Sequence, residues 1–339
     1  MRIPIVVTAK EFEKGKKVFE PASDRYDWVV CDSAEEAVAR AVAASGTRIA
    51  VLGVDRYTGP LYEALSANGR GRPTLIARHG VGYDGVSVDR CRERGVILTV
   101  TKNSPDRSVA EHTIALVLAL AKNVAVSDAG MRAGRFEPTR GFELAGKTLG
   151  IAGLGNIGRL TARMAADGFG MRVVAFGSTP AARIGEREGL DPASFLSKHR
   201  VARYYDDFRA FAAEADIVSV HMPSRPDTAG FFNAGKFAVM KEGAWFVNTS
   251  RGKLVDEGAL FDALSSDRLS GAALDVFERE PYVPASPDRD LRKLRNTVLT
   301  PHTGSDTEES NRNMQLNILA NIEAYLAGRF EDLTAVFRP

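Results

Sequence analysis

At 339 residues, with 44% hydrophobic and 26% charged side chains, the chain has the makeup of a globular protein with enough apolar material for two α/β cores. Its 45 Lys and Arg nearly cancel 43 Asp and Glu, and the one basic stretch, Lys14–Lys17, reads as a solvated helix face. That excludes a sequence-independent grip on nucleic acid. Cys31 and Cys91, far apart and without metal-ligand spacing, exclude a disulfide framework and give no metal site.

The opening Met1–Val7 reads as a strand and not as a cleavable leader, and no apolar run is long enough to span a bilayer. A cytoplasmic location with no membrane partner is the expectation. Ile3–Val7, Ile49–Val54, Thr74–Ala77 and Val96–Thr101 are short apolar runs expected as strands. Ser33–Ala44 and Pro60–Ala67 carry helical periodicity between them. Ser108–Asn123 is helical and apolar nearly all round, which requires burial, within its own subunit or against another one.

A second α/β run opens at Lys147, with a strand at Thr148–Ala152, a turn at Gly153–Gly158 and a helix at Leu160–Asp167. Strands are expected at Met171–Phe176, Ile217–His221, Trp245–Asn248, Gly271–Val276 and Thr297–Thr300. Between them, Gly177–Tyr205 reads as a surface excursion with its own short helix. A last helix, Asp306–Ala327, ends at Gly328 and returns to the first region. The second region is thus inserted into the first, with junctions near Asn103–Ser108 and His302. Two domains joined in this way leave a cleft between them, a favoured place for a small molecule.

Gly153-Leu-Gly155-Asn156-Ile157-Gly158 follows a strand and opens a helix. This is what a dinucleotide requires: a tight turn, close backbone approach to a pyrophosphate, tight helix–strand packing and free N–H groups at the helix start. The next strand ends in Phe176-Gly-Ser178-Thr179, without the acid that binds ribose hydroxyls in NAD sites. Ser178, Thr179 and Arg183 are suited to a 2′-phosphate. NADP is therefore expected ahead of NAD; NAD bound without the acidic contact is the alternative.

Arg251, Glu280 and His302 each follow a predicted strand, where ligands gather in parallel sheets. Hydride delivery to a 2-oxo acid needs a cation that forks onto the carboxylate and an acid that protonates the developing alcohol. Arg251 fits the first need and His302 the second, with Glu280 orienting the imidazole and stabilising its charge. Among the other histidines, His79 faces a pocket or supports backbone, His112 packs in a helix, His221 lies beside the cofactor and His199 is expected to be exposed.

The ordered motifs His79-Gly-Val-Gly-Tyr-Asp84, Ser108-Val-Ala-Glu-His112, Gly153–Gly158, His221-Met-Pro223, Asn248–Gly252, Ala273-Leu-Asp275 and Pro301-His302 run along essentially the whole chain. In them the sequence resembles the D-isomer-specific 2-hydroxyacid dehydrogenases. The resemblance implies two Rossmann-like α/β domains, with an NAD(P)-binding domain (106–302) inserted into a flavodoxin-like substrate domain (1–105 and 303–339). It implies substrate contacts from Arg251 and from the Val81 and Gly82 amides. It also implies cofactor contacts from the glycine turn, Pro223, Thr249 and Gly304, with Asp275 on the nicotinamide carboxamide. Glu280 argues against formate dehydrogenases, which carry Gln there.

Arg78 aligns with an arginine that meets the phosphate in phosphoglycerate-type relatives; a salt bridge to Asp84 or Asp89 is the other reading. Glyoxylate or hydroxypyruvate reduction and D-3-phosphoglycerate oxidation both stay open. So does a role of a different class, that of an NAD(H)-sensing corepressor. A homodimer is expected, because relatives pair through the region of Ser108–Asn123.

Overall fold

The computed structural model describes residues 2–338. The chain divides into two compact units, Met1–Pro105 with Ser305–Pro339, and Asp106–Gly304. The first unit runs β1 (Ile3–Thr8), α1 (Ala9–Phe19), β2 (Tyr26–Cys31), α2 (Glu35–Ser45), β3 (Ile49–Leu52), α3 (Leu61–Gly69), β4 (Thr74–Arg78), α4 (Val88–Arg94) and β5 (Val96–Thr99). The second runs α5 (Asp106–Ala121), α6 (Val124–Arg132), β6 (Thr148–Ala152), α7 (Asn156–Phe169), β7 (Arg172–Phe176), α8 (Pro192–Lys198), β8 (Arg203–Tyr205) and α9 (Phe208–Glu214). It continues with β9 (Ile217–Val220), α10 (Ala234–Ala238), β10 (Ala244–Asn248), α11 (Glu257–Ser265), β11 (Leu269–Leu274) and β12 (Thr297–Leu299). The chain then returns to the first unit through α12 (Glu308–Leu326) and β13 (Ala335–Phe337).

The first sheet has the order β13-β5-β4-β3-β1-β2, parallel except for β13. Apart from β13 this is the flavodoxin-like arrangement. Its strands are apolar on both faces because helices cover both. Ile5, Val7, Ile49, Val51, Leu75 and Ala77 meet Phe19 of α1 and Ile318, Ile322 and Tyr325 of α12. The alternate residues Val6, Ala50, Leu52 and Ile76 meet Val38, Leu61, Tyr62, Leu65 and Cys91 of α2, α3 and α4. The basic stretch of α1 is exposed as expected, with Lys14, Lys16 and Lys17 each beside an exposed carboxylate.

The second sheet has the order β12-β11-β10-β9-β6-β7-β8, all parallel, with its winding reversing between β6 and β9. This is the Rossmann-type order, and the gap at the reversal is where such sheets bind nucleotides. Leu149, Ile151, Val173 and Val247 face α5 and α7, while Val174, Val218, Phe246 and Leu274 face Phe208, Phe211, Phe237 and Leu260 of α9, α10 and α11.

Strand β2 escaped the sequence reading because Tyr-Asp-Trp-Val-Val-Cys sits at a sheet edge and lacks a clean alternation. The excursion after β7 holds the expected short helix, α8, but it is not wholly superficial. Ile184, Phe195, Val201 and Tyr205 are buried, and its end, β8, joins the sheet beside β7. His199, expected at the surface, is 6% exposed with its ring 4.7 Å from that of Phe195. The apolar helix α5 buries Ile114, Leu116, Val117 and Leu120 inside its own unit. Among the described residues no single helix is long and apolar enough to cross a membrane.

Candidate active site

The second unit builds its site on the turns that follow β6, β10, β11 and β12. Gly153 has φ +105°, and a Cβ there would lie 2.6 Å from the His221 carbonyl oxygen. At Gly158 a Cβ would come within 2.3 Å of the Gly153 carbonyl, so both positions need glycine for the chain's own packing. Gly155 differs: a Cβ there would meet nothing within 4 Å. Glycine at that position keeps open space above the start of α7, the room a pyrophosphate needs to approach the backbone. The turn thus fits a dinucleotide on its geometry.

The side chain of Asn156 is hydrogen bonded to Asp106, whose carboxyl is raised by burial against the pull of that bond and of Arg159. Arg159 itself is paired with Glu188 from the excursion. After β7, Ser178 and Thr179 are exposed, and no carboxylate follows Phe176 before Glu186. Arg183 Nε lies 3.2 Å from both Glu186 oxygens in an exposed pair.

Arg251 sits on a loop folded by Asn248, whose side chain donates to the Arg251 carbonyl (2.9 Å) and accepts from the Ser250 N–H (3.0 Å). Gly252 packs against the next loop so closely that a Cβ would lie 1.8 Å from the Phe277 carbonyl carbon. On that next loop Glu280 Oε1 accepts the Phe277 N–H (3.0 Å) and Oε2 lies 2.7 Å from His302 Nδ1. The peptide bond Glu280–Pro281 is cis. Burial raises the Glu280 carboxyl, but the hydrogen bond and charge of His302, the Phe277 N–H and Arg251 outweigh it and hold it below its ordinary value. The acceptor at Nδ1 leaves Nε2 as the ring nitrogen available to a substrate.

The three residues expected to act together are therefore gathered in one unit. Thr249 and Asp275 are nearby but turned inward. Thr249 is 7% exposed, with its hydroxyl 2.8 Å from that of Thr113. Asp275 is 1% exposed and accepts from Thr300 Oγ1 (2.5 Å) and from the N–H groups of Thr303 and Gly304 (both 2.9 Å). Burial raises its carboxyl, and bonds led by that from His112 bring it below its ordinary value. Pro223 is exposed beyond β9. His221 bonds Ser219 Oγ (2.9 Å), and burial pushes its pKa down to about 3.

The first unit holds Arg78, Val81 and Gly82 at and after the end of β4. Arg78 is 6% exposed, and its Nη1 lies 3.0 Å from where a Cβ on Gly80 would stand. Asp89, one of its possible partners, is instead taken by Arg92 (2.8 Å). His79 is buried, and burial followed by the charges of Arg78 and Lys14 pushes its pKa down to about 3.

Sequence reasoning missed two site residues. His112, read as a packing residue, lies 3.1 Å from Thr300 Oγ1 and 3.3 Å from Asp275 Oδ1. Glu257, 4% exposed, accepts the Glu278 N–H (2.7 Å) beneath the loop of Glu280, and burial raises its carboxyl. A buried carboxylate at a helix start and a histidine among apolar neighbours give no local signal of this. Among the described residues no group of His, Cys, Asp and Glu is arranged to hold a metal ion.

A Rossmann-type sheet with an open glycine turn, beside an Arg–Glu–His cluster, defines an NAD(P)-dependent oxidoreductase. Residues 114–304 match the model of the D-isomer specific 2-hydroxyacid dehydrogenase NAD-binding domain, and the chain belongs to that family. It is 34% identical over 263 residues to the glyoxylate reductase of Thermococcus litoralis, covering 75% of this chain and 74% of that protein. It is 39% identical over 259 residues to the D-3-phosphoglycerate dehydrogenase of Mycobacterium leprae, covering 76% of this chain but only 46% of that longer protein. The NADPH-dependent glyoxylate/hydroxypyruvate reductase of Sinorhizobium meliloti, solved with citrate, superimposes with a TM-score of 0.81 at 29% identity over the whole of both chains. The same enzyme solved with NADP and malonate gives 0.79 at 28% identity, over 96% of this chain and 94% of that one.

Proposed function

We propose that this protein reduces a small 2-oxo acid, glyoxylate or hydroxypyruvate, to its D-2-hydroxy acid, using NADPH ahead of NADH. The observation that carries this is the 2.7 Å pairing of His302 with Glu280, with Arg251 close enough for its charge to act on that carboxylate. A carboxylate-backed imidazole beside a guanidinium is what protonation of a carbonyl adjacent to a carboxylate calls for. In this reading 106–302 is the nucleotide domain, while 1–105 and 303–339 form the substrate domain with Arg78, Val81 and Gly82 as substrate contacts.

The backbone of Gly153–Gly158 would receive the pyrophosphate, with Pro223 and Gly304 lining the rest of the nucleotide site and the buried Thr249 and Asp275 supporting it from behind. The bound nicotinamide supplies the hydride. Arg251 forks onto the substrate carboxylate and polarises the adjacent carbonyl. His302 delivers the proton from Nε2, and Glu280 holds the ring by Nδ1 and stabilises the imidazolium. The NADPH preference rests on the missing acid after β7 and on the exposed Ser178 and Thr179. A homodimer and a cytoplasmic location belong to the same proposal; the exposed Val124, Val126, Met131 and Phe136 support the dimer, which sedimentation would test.

The test is nicotinamide absorbance with NADPH and NADH against glyoxylate, hydroxypyruvate, phosphohydroxypyruvate and pyruvate. Faster oxidation with the unphosphorylated acids is expected. Preference for phosphohydroxypyruvate would move the assignment to D-3-phosphoglycerate dehydrogenase and give Arg78 the phosphate. Tight nucleotide binding without any turnover would favour the nucleotide-sensing role.

A further inference from the structure

Helix α5 touches two catalytic loops through consecutive residues. Thr113 donates its hydroxyl proton to the Val109 carbonyl (2.8 Å), so its oxygen accepts from the Thr249 hydroxyl (2.8 Å) on the loop that carries Arg251. His112 reaches the other loop. Thr300 gives its only hydroxyl proton to Asp275 Oδ1 (2.5 Å). Its oxygen must then accept at 3.1 Å, which requires the proton of His112 to be on Nε2. The same N–H lies 3.3 Å from Asp275 Oδ1.

Beyond this node stands an unusual stretch of backbone. His302 has φ +56°, a left-handed conformation that a side chain with a Cβ rarely adopts. Asp275 holds it by catching three successive N–H groups, that of His302 on its carbonyl (2.8 Å) and those of Thr303 and Gly304 on its carboxylate (2.9 Å each). The packing there is closed, since a Cβ on Gly304 would lie 3.0 Å from Asp275 Oδ2 and 3.2 Å from His112 Cδ2. Asp275 is anchored to the sheet through its main chain, so its side chain is what remains to be oriented. Thr300 and His112 are the side chains that reach that carboxylate from just after β12 and from helix α5.

We infer that His112 is a positioning residue: its Nε2–H locks Thr300 and Asp275, and these hold the His302 backbone in the conformation that points the imidazole at Glu280. His112 does not touch the reacting atoms. The inference rests on the catalytic reading of His302 for its effect on turnover, but not for its effect on the geometry of His302.

The experiment compares His112→Leu, which keeps bulk without a donor, with His112→Gln, which restores an N–H at similar reach. His302→Ala is the reference. With NADPH and glyoxylate, His112→Leu should lower kcat on the order of tenfold, while KM for glyoxylate stays within about twofold. His112→Gln should recover most of the loss. Independently of substrate, the imidazole nitrogen–proton spectrum of a chain with five histidines is simple enough to read. The His302 signals, identified by their loss in His302→Ala, should move in His112→Leu and return in His112→Gln. Thr300→Val removes the relay by a second route and should reproduce the Leu result even if His112→Leu folds poorly.

Unmoved His302 signals with unchanged kcat in His112→Leu or Thr300→Val would overturn the inference, as would equal losses in Leu and Gln variants with those signals in place. If His302→Ala keeps full turnover, the catalytic reading falls, and the spectrum alone decides whether His112 positions His302.

Discussion

Replacing Glu280 by Gln isolates the charge on the carboxylate that backs His302. The amide keeps the shape and can still accept the Phe277 N–H that orients Oε1. Toward His302 Nδ1, however, it offers no negative charge, and its NH₂ donor favours the neutral ring over the imidazolium. A charge-assisted bond of this kind stabilises by about 1.5–3 kcal/mol. The side chains are 32% and 34% exposed, so solvent screening takes the figure just below that range, to about 1.4 kcal/mol. Lost from the ring as it carries the proton, that corresponds to about a tenfold lower rate. In the proposed mechanism Glu280→Gln should therefore lower kcat for reduction about tenfold, and for hydroxy-acid oxidation, which leaves the ring as imidazolium, by a similar factor. The assay is kcat for both directions from pH 5 to 10, with NADPH binding measured alongside. A Gln variant whose kcat is unchanged in both directions would refute a charge-stabilising role for Glu280.

Arg251→Lys should raise KM for the oxo acid by roughly ten- to a hundredfold, with NADPH affinity unchanged, because an ammonium cannot fork onto a carboxylate. Equal KM values in steady-state assays would remove Arg251 from substrate binding. Gly252→Ala puts a methyl 1.8 Å from the Phe277 carbonyl carbon and must part the loops of Arg251 and Glu280; turnover should drop on the order of a hundredfold, with a destabilisation of about 1–3 kcal/mol in denaturant melts. Asp216 accepts the Thr148 N–H and Lys241 Nζ; burial raises its carboxyl, yet these bonds bring it below its ordinary value. A depressed carboxylate stabilises above its unfolded pKa of about 3.9 and stops doing so as pH falls through the folded value. Asp216→Asn should therefore cost about 1 kcal/mol at pH 7, discounted for partial exposure, and progressively less below about pH 4. A pH-independent difference would show that the charge is not what matters.

Features that depend on neighbours along the chain could be read directly from the amino-acid order. Strands covered by helices on both faces are continuously apolar, so β1, β3, β4 and β6 were evident as short runs. The glycine turn could be read because Gly153 and Gly158 answer to local steric demands, positive φ and a close carbonyl. Arg251, Glu280 and His302 could be proposed together because each follows a strand of one parallel sheet, whose ends necessarily lie side by side. Tertiary structure alone decided the rest. Whether Arg183 is free for a phosphate depends on Glu186 and the turn that brings them together. Whether His199 is buried depends on how the excursion folds back onto the sheet. His112 stands 188 residues from Thr300, and nothing in the apolar helix around it marks it as a donor. Periodicity records which face of an element is covered; it cannot record which distant polar atom the covering chain brings within 3 Å.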